Sequence, residues 1–114
     1  MAFTAYHNID GSSAERNELL AIGDIPRQKI TCINITNIHD TAAATIDLFI
    51  FKDSTDTTVS ETYYFLKNYK LSFGDYLTID NNDLLNFDNT TDTGYSLYIA
   101  VGSTDTVDVM IRKE

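Results

Sequence analysis

Residues 42–51, "AAATIDLFIF", place Ala42, Ala44, Ile46, Leu48 and Ile50 on one side of an extended backbone. Ala43, Thr45, Asp47, Phe49 and Phe51 fall on the other. Strand side chains alternate between faces, whereas an amphipathic helix needs apolar residues at i, i+3 and i+4. The period here is two, so the segment reads as a strand. One face reads as core. The other ends in two Phe, which calls for cover by another segment or another chain.

The same pattern recurs along the chain, cut by turn-forming residues. Residues 18–22 read as a short strand. A turn over 23–26 follows and holds the only proline, which fixes φ and donates no ladder bond. In "ITCINITN" Cys32 and Ile33 are adjacent, so either a bulge shifts the phase or both faces are partly buried. "NIHDT" (37–41) and "DSTDTTVS" (53–60) read as turns. In "ETYYFLKNYKL" either Tyr63 with Phe65 or Tyr64 with Leu66 faces inward, because a one-residue slip exchanges the faces. Gly74 and Asp75 break that run, and Leu77 and Ile79 resume it. Residues 84–87 read as a small strand or turn. "YSLYIAVG" and "VDVMIRKE" close the chain as two alternating strands.

Short strands with turn signals at roughly 8–12-residue intervals predict an antiparallel sandwich. Parallel pairing needs helical crossovers, for which the intervals leave no room. The expectation is all-β: a single antiparallel β-sandwich, jelly-roll or Ig-like, of about eight strands over 17–114. Residues 1–16 keep neither period and read as an N-terminal arm. The expected core is Ile30, Ile35, Ile46, Leu48, Ile50, Leu77, Ile79, Leu97, Ile99, Val107, Val109 and Ile111. Composition agrees, with 15 Thr, 13 Asp and 9 Asn against only 4 Glu, which favours strands and turns over helices. A chain of 114 residues is too short for two cores that each offset their ordering entropy.

The net charge of −9 argues against nucleic acid and anionic membranes, since phosphate contacts need a basic stripe. The eight basic residues are scattered. The single cysteine, Cys32, permits no internal disulfide and reads as a buried structural thiol. "MAFTAYHNIDGSS" lacks the charged and apolar regions of a secretory signal, and no apolar run is long enough to span a membrane. Production in a cytoplasm is expected.

Little in the sequence reads as reactive chemistry. Asp47 and Asp108 lie within apolar strands but alternate with their neighbours, so both are expected to face water. His7 and His39 lack metal-ligand spacing. "DNTTDTG" (88–94) has alternate oxygen ligands, but Ile99 stands where a calcium loop needs its bidentate acid, so an Asx-rich turn is expected. Glycosylation patterns at Asn34 and Asn89 read as incidental. No catalytic, metal or cofactor residue is expected, and the chain is not expected to be an enzyme. The seven tyrosines exceed what a small core needs and suit a protein interface. The interface candidates are Phe3 and Tyr6 on the arm, with Phe49, Phe51, Tyr63 and Tyr98 on strands.

The order of features in "ELLAIGDIPRQKITCINITNIHDTAAATIDLFIF", "YYFLKNYKLSFGDYLTI" and "GYSLYIAVGSTDTVDVMIRKE" resembles small virion proteins of tailed bacteriophages. The likeness runs over 17–114 and departs from the family in lacking a proline in "LSFGD". It implies a non-enzymatic structural β-sandwich of the capsid, neck or tail, in a symmetric homo-oligomer with other virion proteins. It implies no cofactor and no direct contact with nucleic acid or membrane. The alternative reading is a carbohydrate- or receptor-binding module at a fibre or particle surface.

Overall fold

The computed structural model describes residues 2–24, 30–39, 42–53, 60–91 and 94–113. The turn expectations at 25–26, 40–41 and 54–59 lie outside these residues, as do positions 92–93 of the Asx-rich loop. Among the described residues there are eight strands: β1 (Ala2–Asp10), β2 (Asn17–Leu20), β3 (Ile30–Asn37), β4 (Ala44–Asp53), β5 (Ser60–Leu71), β6 (Tyr76–Ile79), β7 (Ser96–Val101) and β8 (Thr106–Lys113). One helical turn, α1 (Asn82–Leu85), stands where a strand or turn was expected over 84–87.

The strands form two four-stranded sheets, β1-β8-β3-β6 and β2-β7-β4-β5, in which every pairing is antiparallel. The pairings β1·β8, β2·β7, β3·β6 and β4·β5 are nested, as if one long hairpin were rolled up. That wrap is a jelly roll, and it decides between the two sandwich types expected. Between the sheets lie Ile33, Ile35, Ile46, Leu48, Leu97, Ile99, Val107, Val109 and Ile111, all fully buried. Full burial of each contributes roughly 1.5–3 kcal/mol. Leu77 and Ile79, expected in the core, sit on the short edge strand β6 and are only partly buried. Ile9, Leu19, Leu20, Leu71 and Leu85 join the core instead.

The segment expected as an arm is, over Ala2–Asp10, an edge strand paired along β8. Ile9 enters the core, and the Tyr6 hydroxyl donates to the Leu19 carbonyl, tying β1 to the opposite sheet. Cys32 is also corrected. The register shift between Ile30 and Cys32 is a bulge, the first of the two alternatives the adjacent Cys32 and Ile33 left open, and it leaves Cys32 half-buried rather than enclosed.

The two long edges share one device. Between the pairs Tyr6↔Val109 and Ile9↔Val107, His7 and Asn8 stand against the single residue Asp108. Between Ile46↔Tyr69 and Leu48↔Leu66, Lys67 and Asn68 stand against Asp47. Asn8 and Asn68 adopt left-handed backbone, φ 56° and 53°. The opposing carboxylate takes the freed backbone N–H in each case, Asn8 N to Asp108 at 2.9 Å and Asn68 N to Asp47 at 2.7 Å. The preceding side chain meets the same acid, His7 Nδ1 at 2.8 Å from Asp108 and Lys67 Nζ at 3.3 Å from Asp47. Asp47 and Asp108 are thus partly buried bulge anchors rather than plain surface acids, with side chains 20% and 34% exposed. Bulges twist an edge out of register with an incoming strand. The remaining edges, β2 and β6, are four residues long.

Candidate functional site

The outer face of the second sheet carries the densest chemistry. Glu18, Tyr98, Phe49 and Tyr64 lie directly opposite one another across β2, β7, β4 and β5. The Phe49 ring stacks on Tyr98 at 5.8 Å and 8°, and tilts against Tyr64 at 5.3 Å. Phe51, one step along β4, meets Tyr98 edge-on at 5.9 Å. Such cross-strand aromatic pairs stabilise a sheet by about 0.5–1.5 kcal/mol each.

Cations cap this row at both ends. The Arg16 guanidinium lies 4.7 Å from the ring centres of both Phe51 and Tyr98, and Lys67 Nζ lies 4.6 Å from that of Tyr64. The Tyr98 hydroxyl donates to Glu18 at 3.1 Å. Burial, then this hydrogen bond, raises the Tyr98 pKa, and Arg16 opposes them. The hydrogen bond to Asp47 raises that of Lys67.

Beyond the aromatic row the face drops. Ala100 stands opposite Asp47, so a methyl group follows Tyr98 along β7. Two shallow depressions result, of about 250 Å³ and 210 Å³, and they share Asp47 and Ala100 as lining. They adjoin at Asp47 and Ala100, and the larger, the groove over Ala100, is bounded by Tyr64 and Lys67 on β5 and by Glu15 and Arg16 from the segment before β2.

Of the expected interface residues, Phe49, Phe51 and Tyr98 come together here. Their cover comes from Tyr64 and Arg16 of the same chain, and Phe49, at 5% exposure, is floor rather than contact surface. Tyr63 is 53% exposed at the sandwich rim, where its ring meets Tyr95 edge-on at 5.8 Å. The Tyr95 hydroxyl donates to Glu61, and burial followed by that bond raises its pKa. Tyr6 belongs to the tie between sheets, and Phe3 stands opposite Arg112 in the other sheet. Arg16, Tyr64, Lys67 and Ala100 were not among the expected site residues. Arg16 was hidden in the presumed arm, and the β5 bulges scramble the alternation that would have put Tyr64 beside Phe49.

Elsewhere the chemistry is structural. Asp88 accepts from the Thr90 amide and hydroxyl, an Asx turn. Asn89 is buried and donates to the carbonyls of Ala21 and Tyr95. Asn34 donates to Thr78 on the outer face of the first sheet. A depression of about 400 Å³ there is lined by Cys32, Asn34, Thr78, Met110 and Arg112, with one charged group and no aromatic wall. Among the described residues no group of three or more His, Cys, Asp or Glu is placed to hold a metal. No helix among them is long and apolar enough to cross a membrane. No family model matches the chain, and neither the curated proteins nor the solved structures yield a match.

Proposed function

We propose that this chain is a non-enzymatic structural protein of a tailed-phage virion, a capsid decoration or a neck or tail component made in the host cytoplasm. The observation that carries this reading is the nested jelly-roll wrap, an architecture that recurs in viral capsid and lectin domains. Architecture is an argument by likeness, because function resides in sites. A second support is the position of the exposed apolar surface. The long edges are bulged, so sheet extension is a poor route to assembly. Phe73 and Tyr76, 58% and 65% exposed, flank the turn at Gly74 instead. The Asp75 amide donates to the Ser72 carbonyl at 3.1 Å, and Gly74 has a φ of 72°. Proline is a common choice at the position Phe73 occupies in such a turn. In this reading a neighbouring virion subunit would bury the exposed ring.

Quantitative mass spectrometry of particles purified from the source is the test. The expected result is this chain at the copy number of a repeated subunit, and its absence from intact particles overturns the proposal. Phe73→Ser is expected to lower incorporation while leaving the melting temperature unchanged.

A carbohydrate- or receptor-binding module has one observation in its favour, the groove over Ala100, which is compatible with a place on a particle.

A further inference from the structure

We infer that the groove over Ala100 is a binding site for a neutral oligosaccharide. This goes beyond a structural role and stands or falls independently of it. The first argument is shape. The groove exists because Ala100 succeeds Tyr98 on β7, so the sheet surface steps from an aromatic row to a methyl group. A second depression adjoins it at Asp47 and Ala100, so a ligand longer than one sugar ring has a neighbouring surface to extend over.

The second argument is the lining. A sugar presents C–H faces that stack on aromatic rings and hydroxyls that both donate and accept. Tyr64, 47% exposed, borders the groove with Lys67 Nζ 4.6 Å from its ring centre, so its exposed ring edge is the apolar contact on offer, and Phe49 lies buried below. Arg16 and Lys67 supply donors, and Asp47 supplies acceptors. A carboxylate has about four lone-pair sites. The Asn68 amide and Lys67 engage both Asp47 oxygens and leave acceptor capacity on each.

The third argument is charge. The chain as a whole carries −9, yet the groove brings two cations beside its acids. A balanced lining disfavours polycations and polyanions alike and suits an uncharged, hydroxyl-rich ligand. The fourth is preorganisation. Arg16 is held by two rings, Lys67 by Tyr64 and Asp47, and Asp47 by the β5 bulge. Side chains already fixed lose little entropy on binding.

The test is amide chemical-shift mapping on the intact chain, titrated separately with neutral gluco-, manno- and galacto-oligosaccharides and with heparin as the polyanion control. Saturable shifts confined to residues around Asp47, Tyr64, Lys67 and Ala100, with at least one neutral oligosaccharide and not with heparin, are expected. Tyr64→Ala is expected to weaken that binding at least tenfold. Ala100→Leu, which fills the groove from an outward position, is expected to abolish it with the spectrum otherwise native. Ala100→Leu keeps the test decisive if Tyr64→Ala disturbs β5. No saturable shifts with any of the neutral series, a preference for heparin, or binding unaffected by Ala100→Leu would each overturn the inference. Particle mass spectrometry is blind to all of these outcomes, so the two proposals fail separately.

Discussion

Asn37 is 1% exposed and joins three segments at once. Its amide donates to the carbonyls of Ala42 at 2.9 Å and Leu71 at 3.0 Å, and its side-chain oxygen accepts from the His39 amide. Its backbone exchanges bonds with Asp75 and Gly74 in the β5–β6 turn. Asn37→Ala strands the carbonyl of buried Leu71, the carbonyl of exposed Ala42 and the His39 amide; a polar group left unpaired and buried costs about 1–3 kcal/mol, and solvent access at Ala42 and His39 lowers the sum. The expected loss is about 3 kcal/mol by urea denaturation, and a loss under ~1 kcal/mol would mean the turns hold without it. Gly11 constrains packing differently. A Cβ there would sit 1.9 Å from the Gly102 carbonyl oxygen, which is backbone and cannot rotate aside. Gly11→Ala is therefore expected to cost about 3 kcal/mol, the upper range for overpacking, whereas Gly74→Ala meets no atom and suffers only its positive φ. Neither role was legible in the sequence. Asn37 reads there as an ordinary turn former and Gly11 as part of a polar lead-in, because both act through partners remote along the chain.

The elements were legible where alternation ran unbroken and obscure where a bulge interrupted it. In β4, residues Ala44, Ile46, Leu48 and Ile50 are buried as their spacing requires. In β1 the inward set slips a phase between Tyr6 and Ile9, since His7 and Asn8 share one partner, so no period survives in the sequence. In β5 the ambiguity between Tyr63 and Tyr64 arises for the same reason, since register shifts fall on both sides of Leu66. The candidate face inherits that obscurity: its aromatic residues on β4 and β7 were readable, and its partners across the bulged edge were not. The paired anchors make a matched prediction. Asp108→Ala and Asp47→Ala each leave a left-handed Asn amide without its acceptor, at an expected cost of about 1–2 kcal/mol at these partly exposed sites. Asn8→Gly and Asn68→Gly should change stability little, and Asn68→Val should cost at least about 1 kcal/mol, because β-branched residues resist positive φ. Equal costs for Gly and Val at position 68 would refute the left-handed assignment. A chain lacking residues 1–10 separates strand from arm. It loses the Ile9 burial, the Tyr6 tie and the cover of β8, so it is expected to be unfolded or aggregated by circular dichroism and light scattering, whereas loss of an arm would leave the melting temperature intact.

At the scale of the whole molecule, the titrating groups that the fold perturbs set a window of stability. Tyr6, Tyr95 and Tyr98 all have pKa values raised above 10.0, chiefly by burial, with acidic neighbours adding to it. Lys67 is raised above 10.5 by its hydrogen bond with Asp47. A group that holds its proton more tightly when folded contributes stability that is complete below its unfolded value and disappears as pH rises through its folded value. All four therefore act in the same direction, and in a chain already at −9 each ionised tyrosine adds to self-repulsion. Asp10 marks the acid side. The Ser12 amide and hydroxyl lower its pKa below 3.8, so its contribution is present above that value and is lost as pH falls through the folded pKa. The melting temperature is expected to fall as pH rises past 10.0 and, on the acid side, as pH falls below 3.8. Tyr98→Phe removes one titrating hydroxyl while keeping the ring on Phe49 and under Arg16. Thermal scans followed by near-ultraviolet circular dichroism should show a shallower alkaline limb for this variant than for the unaltered chain. An identical limb would mean that the Tyr98 hydroxyl titrates as freely folded as unfolded, and that its bond to Glu18 does not hold in solution.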